Sequence, residues 1–452
     1  MIQGSHDVEQ KILQRVVPDK NERFLLETTI ADLTKTIQKI LQDIDIPITI
    51  ELVGSTAKDT YLSTTLDIDL FICFPCSTSR EQLETIGLSI GKKVLEKQEE
   101  CFAEHPYLRG EFNGYKTEIV PCYRLESVSQ KLSAVDRTPF HTRYIKQHLS
   151  ESQKNEVRLL KQFLIGIGCY GAEAEVEGFS GYLCEILILK YDSFQNLLLH
   201  AQHWEYGIQL VLHAGQIPCF DTPLIFIDPV DSERNVASAL SKEKFDLFIR
   251  ACGQYCKNPK TTFFFPNELK TWSLDKIKSE IGEKKFLGLQ IKKPDIIAEN
   301  LYPQVRKALR SVVDLCNQYG FTIIDSFFFL DSHWIYLVFL PKERKIPELS
   351  IHRGPPISLK PNADDFVKKW LQNPRTLKKP YEKNGRLYVH IRREYVDIIE
   401  LMKEQLNNIS LGKHLDMMVN KQFFILEHND LVIEQLRMLW TDYLDSLMPW
   451  ER

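Results

Sequence analysis

The chain lacks any strong overall charge. Its 57 Lys and Arg against 61 Asp and Glu leave a formal net charge of -4, which as an average points to no polyanionic partner. It also lacks an apolar window long enough to span a bilayer, which excludes a helical membrane span. The opening residues, Met1-Ile-Gln-Gly-Ser-His-Asp-Val, have no charged stretch followed by an apolar run, so no secretory leader is read there. The expectation is a soluble, cytoplasmic protein with no membrane partner. No histidine cluster flanks the cysteines. Of the ten, Cys73 and Cys76 form a C-x-x-C, and Cys252 and Cys256 a C-x-x-x-C. A zinc site would need both pairs to converge, so reduced thiols are the simpler reading. There is no internal repeat and no low-complexity segment.

What is present is length and asymmetry. The 452 residues, 43% of them hydrophobic, can build sizeable cores in about three domains. Between Lys342 and Arg393 stand 14 Lys and Arg against 5 Asp and Glu. The remainder is correspondingly acidic. A basic segment in an acidic chain is the footprint of a polyanion binder.

One stretch organises the rest: Ile50–Pro75, IELVGSTAKDTYLSTTLDIDLFICFP. An apolar run ends at Gly54-Ser55, a short helix-like segment follows, and Asp67-Ile-Asp69 leads into Leu70–Phe74, which reads as a strand. Side chains alternate along a strand, so Asp67 and Asp69 project from one face. Two such carboxylates repel each other unless a cation lies between them. Gly54-Ser55 opens a helix, where free N–H groups attract phosphate. A phosphate cradle beside a divalent-metal site suggests nucleotide chemistry.

Elsewhere the spacing predicts an amphipathic helix over residues 7 to about 45, packed on the first sheet, and another over Arg80–Glu100. Glu111–Cys122 reads as strands around an Asn113-Gly114 turn, with Glu118 in the second. A helix over Val157–Ile167 runs into Gly166-Ile-Gly168-Cys-Tyr-Gly171. This G-x-G-x-x-G follows a helix rather than a strand, so its glycines read as helix-ending turns and not as a dinucleotide site. Leu183–Leu199 and Phe245–Cys256 read as helices, with a short strand ending at Asp228. Turn residues from Asn258 to Asn267 mark a boundary. Beyond it, Tyr302–Tyr319 and Phe366–Leu371 read as helices. Phe327–Leu330, Trp334–Leu340 and Arg386–Ile391 read as strands, and His352–Pro356 as a basic turn. The expected domains are 1–148, 149–262 and 263–452, with an internal joint near 292–295.

The pattern of Gly54-Ser55 followed by Asp67-x-Asp69 resembles the nucleotidyltransferase superfamily that includes DNA polymerase β. The wider text is similar to class I, archaeal-type CCA-adding tRNA nucleotidyltransferases. Matching stretches are Glu104-His-Pro-Tyr107, Val120-Pro-Cys-Tyr123, Asp136-Arg-Thr-Pro139, Asn155–Lys161, Gly178–Glu185, Asp228-Pro-Val-Asp231 with Arg234-Asn-Val236, and Asn300-Leu-Tyr-Pro303. The set, in this order, covers most of the chain.

The resemblance implies an α+β multidomain fold. A polymerase β-like nucleotidyltransferase domain, a mixed sheet with helices, would be followed by a helical central domain and an α+β C-terminal RNA-binding region. It implies addition of C, C and A to tRNA from CTP and ATP, and it allows a homodimer. Phosphoryl-type transfer needs charge neutralisation and in-line geometry, which two Mg²⁺ ions on hard oxygen ligands can supply. The expected ligands are Asp67, Asp69 and Glu118, with Glu118 standing where Asp is more usual. Gly54, Ser55 and Lys58 should meet phosphate. The family's further nucleotide contacts fall on His105, Thr138, His141, Lys161, Tyr170 and Arg234. Arg353, Lys368, Lys369, Lys378 and Lys379, interleaved with aromatics, suit structured RNA. The competing readings are a poly(A) polymerase or oligoadenylate synthetase-like enzyme, a catalytically silent RNA-binding protein, and an antibiotic-adenylylating type of enzyme. The last leaves the basic third region unexplained.

Overall fold

The computed structural model describes residues 2–63, 65–102, 105–133, 135–215 and 217–452; Glu104, quoted in one matching stretch, lies outside them. The chain divides into two compact units, one of Met1–Glu268 with Leu447–Arg452, the other of Leu269–Ser446.

Unit one begins with helices α1 (Ser5–Val16) and α2 (Lys20–Leu41). Then come β1 (Thr49–Val53), α3 (Gly54–Lys58), β2 (Asp67–Phe74), α4 (Arg80–Val94), β3 (Glu96–Phe102), β4 (Pro106–Phe112) and β5 (Tyr115–Tyr123). The strands form one sheet in the order β1-β2-β5-β4-β3. Only β2 and β5 run parallel; the other neighbours are antiparallel. The alternation of β2 sends Ile68, Leu70, Ile72 and Phe74 to one face, where they pack with Ile119 of β5, Leu26, Leu33 and Ile37 of α2, and Leu83 and Ile90 of α4. Each such side chain contributes roughly 1.5–3 kcal/mol. The opposite face carries Asp67, Asp69 and Glu118 at one end and a smaller apolar cluster of Phe71, Cys73, Val120 and Cys122 with Val53 beside them. Asn113 and Gly114, at φ 48 and 82, make the two-residue turn that the sequence signalled.

The helical part of unit one has α5 (Thr138–His148), α6 (Glu151–Gly166), α7 (Gly181–Tyr191), α8 (Phe194–Ala201), β6 (Ile208–Leu210), β7 (Leu224–Asp228), β8 (Asp231–Asn235) and α9 (Lys242–Lys257). Its core gathers Val157, Leu160 and Phe163 of α6, Leu187 of α7 and Phe248 of α9. Trp450, from the far end of the chain, joins this core; it stacks on Phe263 at 5.2 Å and its carbonyl accepts from Thr262 Oγ1 at 2.8 Å.

Unit two holds α10 (Leu274–Ile281), β9 (Leu287–Lys292), α11 (Ala298–Gln318), β10 (Ile323–Leu330), β11 (Trp334–Pro341), β12 (Leu349–Pro356), α12 (Lys360–Leu371), β13 (Thr376–Lys383) and β14 (Arg386–Arg392). After these come α13 (Ile398–Gln405), α14 (Lys413–Lys421), β15 (Phe423–Leu426), α15 (His428–Leu431) and α16 (Arg437–Leu444). One sheet runs β10-β11-β9-β15 and a second β12-β14-β13. On the second, α12 covers one face: His352 stacks with Phe366 at 5.8 Å, and Gly354 lies beneath the same ring.

Several elements differ from the sequence expectation. The first long helix is two. Pro18 interrupts it, and Asp19 caps α2 with a capping box to Glu22. Its first part does not pack on the sheet: Ile12 and Val16 of α1 enter the helical core. The helix expected to reach Glu100 stops at Val94, and Glu96–Phe102 pairs with β4 as an edge strand. A run of charged residues reads as a helix face, yet it serves equally on a solvated edge. The helix over Leu183–Leu199 is broken at Asp192, where φ is 65. The basic turn at His352–Pro356 is instead strand β12, and β13, which carries Lys378 and Lys379, went unread. No helix among the described residues is long and apolar enough to cross a membrane.

Candidate active site

The site begins where β1 hands over to α3. Val53 pairs with Asp69 across the β1–β2 ladder. Gly54 then turns with φ 72, and a Cβ there would lie 1.8 Å from Asp69 Oδ2. Only glycine leaves that carboxylate its place. On the other side of β2, the parallel register sets Asp69 opposite Glu118. Asp67, two residues before Asp69, shares the face. Asp69 is pushed up to about 7, first by burial and then by Glu118 and Asp67, against the pull of Lys58 and Lys161. Three acids are thus close enough to resist sharing negative charge.

Among the described residues no three His, Cys, Asp or Glu side chains already enclose a metal site. Glu118 instead accepts from Arg109 Nε at 2.8 Å. The donor set nevertheless fits a divalent cation. Its oxygens are hard ligands, and the Asp69 carboxyl, raised by burial and then by the neighbouring Glu118 and Asp67, is one whose ionised form a cation would favour.

Ser55 is half-buried at the second position of α3, and Thr56 Oγ1 donates to the Asp67 carbonyl at 2.5 Å. Lys58, at the end of α3, is buried rather than exposed. Its Nζ donates to Glu185 Oε2 at 2.6 Å, and Thr60 Oγ1 donates to Glu185 Oε1 at 2.6 Å. Lys161 of α6 is also buried; its Nζ donates to the Thr60 carbonyl at 2.9 Å and lies 4.0 Å from Glu185 Oε1. Burial holds the Lys161 ammonium below the usual lysine range, with Glu185 opposing that effect. The Tyr170 hydroxyl comes to the same place: a Cβ on Gly181, at the start of α7, would lie 3.1 Å from it and 3.8 Å from Lys161 Nζ. Arg158 of α6 ties this wall to the sheet, donating to the carbonyls of Asp59 and Tyr61 at 2.7 and 2.9 Å.

A second cluster centres on Asp228, at the end of β7. His141 Nε2 meets its Oδ2 at 2.8 Å, Arg234 Nη1 donates to the same oxygen at 2.8 Å, and Tyr182 donates to Oδ1 at 3.1 Å. Burial alone would raise the Asp228 carboxyl, but His141, Arg234 and the Val230 N–H hold it at about 2. Burial also holds His141 below the usual histidine range despite Asp228. The ring is therefore neutral at neutral pH, and Arg234 supplies the balancing charge. Tyr182 joins the two clusters. Its ring stacks on His141 at 4.0 Å and lies 5.8 Å from Lys58 Nζ. Thr138 starts α5 one turn before His141.

His105 is not brought to these groups. It is buried beside Tyr123 and faces Glu84 of α4, with Nδ1 at 3.4 Å from Glu84 Oε1. Tyr123 and Ile119 share the sheet face opposite Glu118, so His105 sits on the far side from the carboxylates.

The profile of a family described as "Nucleotidyltransferase domain" matches residues 34–141, one described as "tRNA nucleotidyltransferase, second domain" matches 155–265, and one described as "CCA-adding enzyme, C-terminal domain" matches 282–428. A CCA-adding enzyme of Methanosarcina barkeri is 37% identical over 424 residues, covering 92% of this chain and 93% of the relative. The chain belongs to the CCA-adding enzyme family. A second member, from Methanocaldococcus jannaschii, is 34% identical over 94% of this chain and 96% of its own, and a third, from Thermoplasma volcanium, is 36% identical over 90% and 91%. Nucleotidyltransferases of this family work with divalent metal ions.

Within the segment matched by the family's C-terminal profile, the five expected RNA-binding cations fall on two sides of one small module. Arg353 pairs with Tyr388 and Lys378 with His390 on the sheet face away from α12. There Tyr381 stacks on both Tyr388 and His390, at 6.0 and 5.4 Å. Lys368 and Lys369 lie exposed on α12, and Lys379 is exposed on β13.

Sequence reasoning missed Glu185, Asp228, Tyr182 and Thr60 as site residues. Glu185 and Asp228 stood inside quoted stretches. Both are acids amid apolar neighbours, which is the available signal: a carboxylate that must be buried needs cations around it.

Proposed function

We propose that the face carrying Asp67, Asp69 and Glu118 is where this chain performs the CCA addition of its family. The activity is template-independent addition of C, C and A to the 3′ end of tRNA, using CTP and ATP. The observation that carries the reading is the register of Asp69 opposite Glu118 beneath Gly54.

In the reaction the tRNA 3′-hydroxyl oxygen bonds to the α-phosphorus of the nucleotide, and the bond to the bridging oxygen breaks, releasing pyrophosphate. Asp67, Asp69 and Glu118 would hold two Mg²⁺ ions, which when bound acidify the hydroxyl and neutralise the leaving group. Gly54 and Ser55 offer backbone and hydroxyl donors to phosphate oxygens. Lys58, Lys161 and Tyr170 supply charge and hydrogen bonds to the triphosphate. Thr138 adds a hydroxyl at the start of α5. Arg109, now on Glu118, has to yield that carboxylate to a cation.

Base choice rests on Arg234. C and A share an exocyclic amine beside a ring-nitrogen acceptor, where G and U present a carbonyl and an N–H. Asp228 fixes the Arg234 guanidinium, and His141 and Tyr182 fix Asp228, so the donor fork is held before the base arrives. A buried donor left unpaired by the wrong base rejects it strongly.

The open face of the β12-β14-β13 sheet, with Arg353, Lys378 and the Tyr381, Tyr388 and His390 rings, offers cations to phosphates and flat surfaces to exposed bases. This suits tRNA in the cytoplasm.

The test is to supply each nucleoside triphosphate singly to tRNA lacking its CCA end. Incorporation from CTP first, and from ATP only after two C residues, is expected. A-tailing in the absence of CTP would overturn the reading in favour of a poly(A) polymerase.

A further inference from the structure

Glu185 is the most completely enclosed acid near the site, with no exposed surface at all. Both its oxygens are taken, one by Lys58 and one by Thr60, each at 2.6 Å, and Lys161 Nζ is 4.0 Å away. An acid buried in an apolar helix such as α7 is costly unless it is fully paired. The two lysines come from α3 and α6, so one carboxylate gathers cations from both sides of unit one. Among the described residues neither lysine makes an ion pair with any other acid. The Lys58 and Lys161 pair is also what the proposed function assigns to the triphosphate.

We propose that Glu185 is a resident counter-anion of the triphosphate subsite: it balances Lys58 and Lys161 while the site is empty and competes with a bound polyphosphate for the same ammonium groups. The inference rests on the assignment of those lysines to the triphosphate. It gives Glu185 a positioning role, not a catalytic one. Two lysines and one glutamate leave the subsite with a single net positive charge. Without Glu185 the subsite would carry two, and a polyphosphate would be held more firmly. A chain that adds three nucleotides must release pyrophosphate three times, and an internal anion that takes the lysines back favours each release.

The experiment is titration calorimetry of inorganic pyrophosphate into the full chain, comparing the natural protein with Glu185→Gln and Glu185→Asp. Glu185→Gln is expected to bind pyrophosphate about tenfold more tightly, the size of one charge-assisted hydrogen bond no longer competed for. In steady state it should show stronger product inhibition, by pyrophosphate, of both C and A addition. Glu185→Asp keeps the charge and should stay within about threefold of the natural affinity. A residue that served only to pack the helix would leave pyrophosphate affinity unchanged or weaker in Glu185→Gln, and either result overturns the proposal. Should Glu185→Gln not fold, Lys58→Met is compared with Lys58→Met/Glu185→Gln. The double variant must bind pyrophosphate more tightly than the single, and equal or weaker binding overturns the proposal. A natural chain that binds no pyrophosphate at all would remove the triphosphate assignment itself.

Discussion

Two sets of lysines serve this chain, and they are built in opposite ways. Lys58 and Lys161 are buried in unit one, each bonded at fixed distance to oxygens of Glu185 or Thr60. Lys368, Lys369, Lys378 and Lys379 in unit two are exposed, and Lys378 lies loosely over the Tyr381 ring at 5.7 Å. A buried cation costs several kcal/mol unless paired, and in exchange its position is fixed and salt screens it far less. An exposed cation costs nothing, tolerates many geometries, and fades as salt rises. The first arrangement suits a triphosphate whose position relative to the reacting hydroxyl must be fixed to within roughly half an ångström. The second suits a long polyanion met over many phosphates.

The sharpest way to break this contrast is at the carboxylates that the buried lysines face. Asp69→Ala should slow single-turnover incorporation by about a thousandfold or more while leaving tRNA affinity nearly unchanged. Near-normal extension would remove the metal assignment. Next in size, Lys161→Met strips Glu185 of one of its two cations and should cost about 3 kcal/mol of unfolding free energy. The same substitution at Lys368 or Lys369 should stay within about 0.5 kcal/mol in urea unfolding. The Asp228 cluster gives a pH version. Its carboxyl is held at about 2 in the folded chain, below its unfolded value near 3.9. The folded chain therefore gains about 2 kcal/mol that is present above roughly pH 4 and is lost as pH falls toward 2. Asp228→Asn should abolish that part of the acid-unfolding profile, and an unchanged profile would show that the cluster does not hold the acid down.

Smaller effects test the exposed set. Neutralising Lys368, Lys369, Lys378 and Lys379 together should weaken tRNA binding and flatten its log–log salt dependence by about two units rather than four, because only one face of the module can lie on RNA at once. An unchanged slope would move the RNA site elsewhere. The smallest contrast divides the module. Arg353→Gln/Lys378→Gln, beside the stacked rings, should weaken tRNA about tenfold in a filter-binding titration, and Lys368→Gln/Lys369→Gln about twofold or less. The reverse order would place the RNA against α12.

Much of the first sheet was legible because its signals are local. The alternation along β2, the Asn113-Gly114 turn and the Gly54 turn each act within a few residues. Other features depended on partners remote in sequence. Nothing near Ile12 says that α1 joins the helical core rather than the sheet. Lys58 reads as an exposed helix lysine until Glu185, 127 residues later, is placed beside it. The run at Glu96–Glu100 was misread and the basic strand β13 went unread because charge and Pro obscure a strand whose only requirement is an edge or a partner. At the candidate site, the acids on one strand were readable as a pair from spacing alone. The Asp228 and Glu185 clusters were not, because the first draws its members from four elements and the second from three segments far apart in sequence.

The final six residues carry a consequence for handling the protein. Trp450 is clasped by Phe263, Thr262 and Gln254, all of unit one, although residues 269–446 between them make up unit two. Unit two is thus a long loop of chain with both its ends stitched into the same body. A single cut after Ser446 leaves unit two covalently joined to unit one at Glu268–Leu269, and a single cut after Glu268 leaves it joined to the segment that Trp450 anchors.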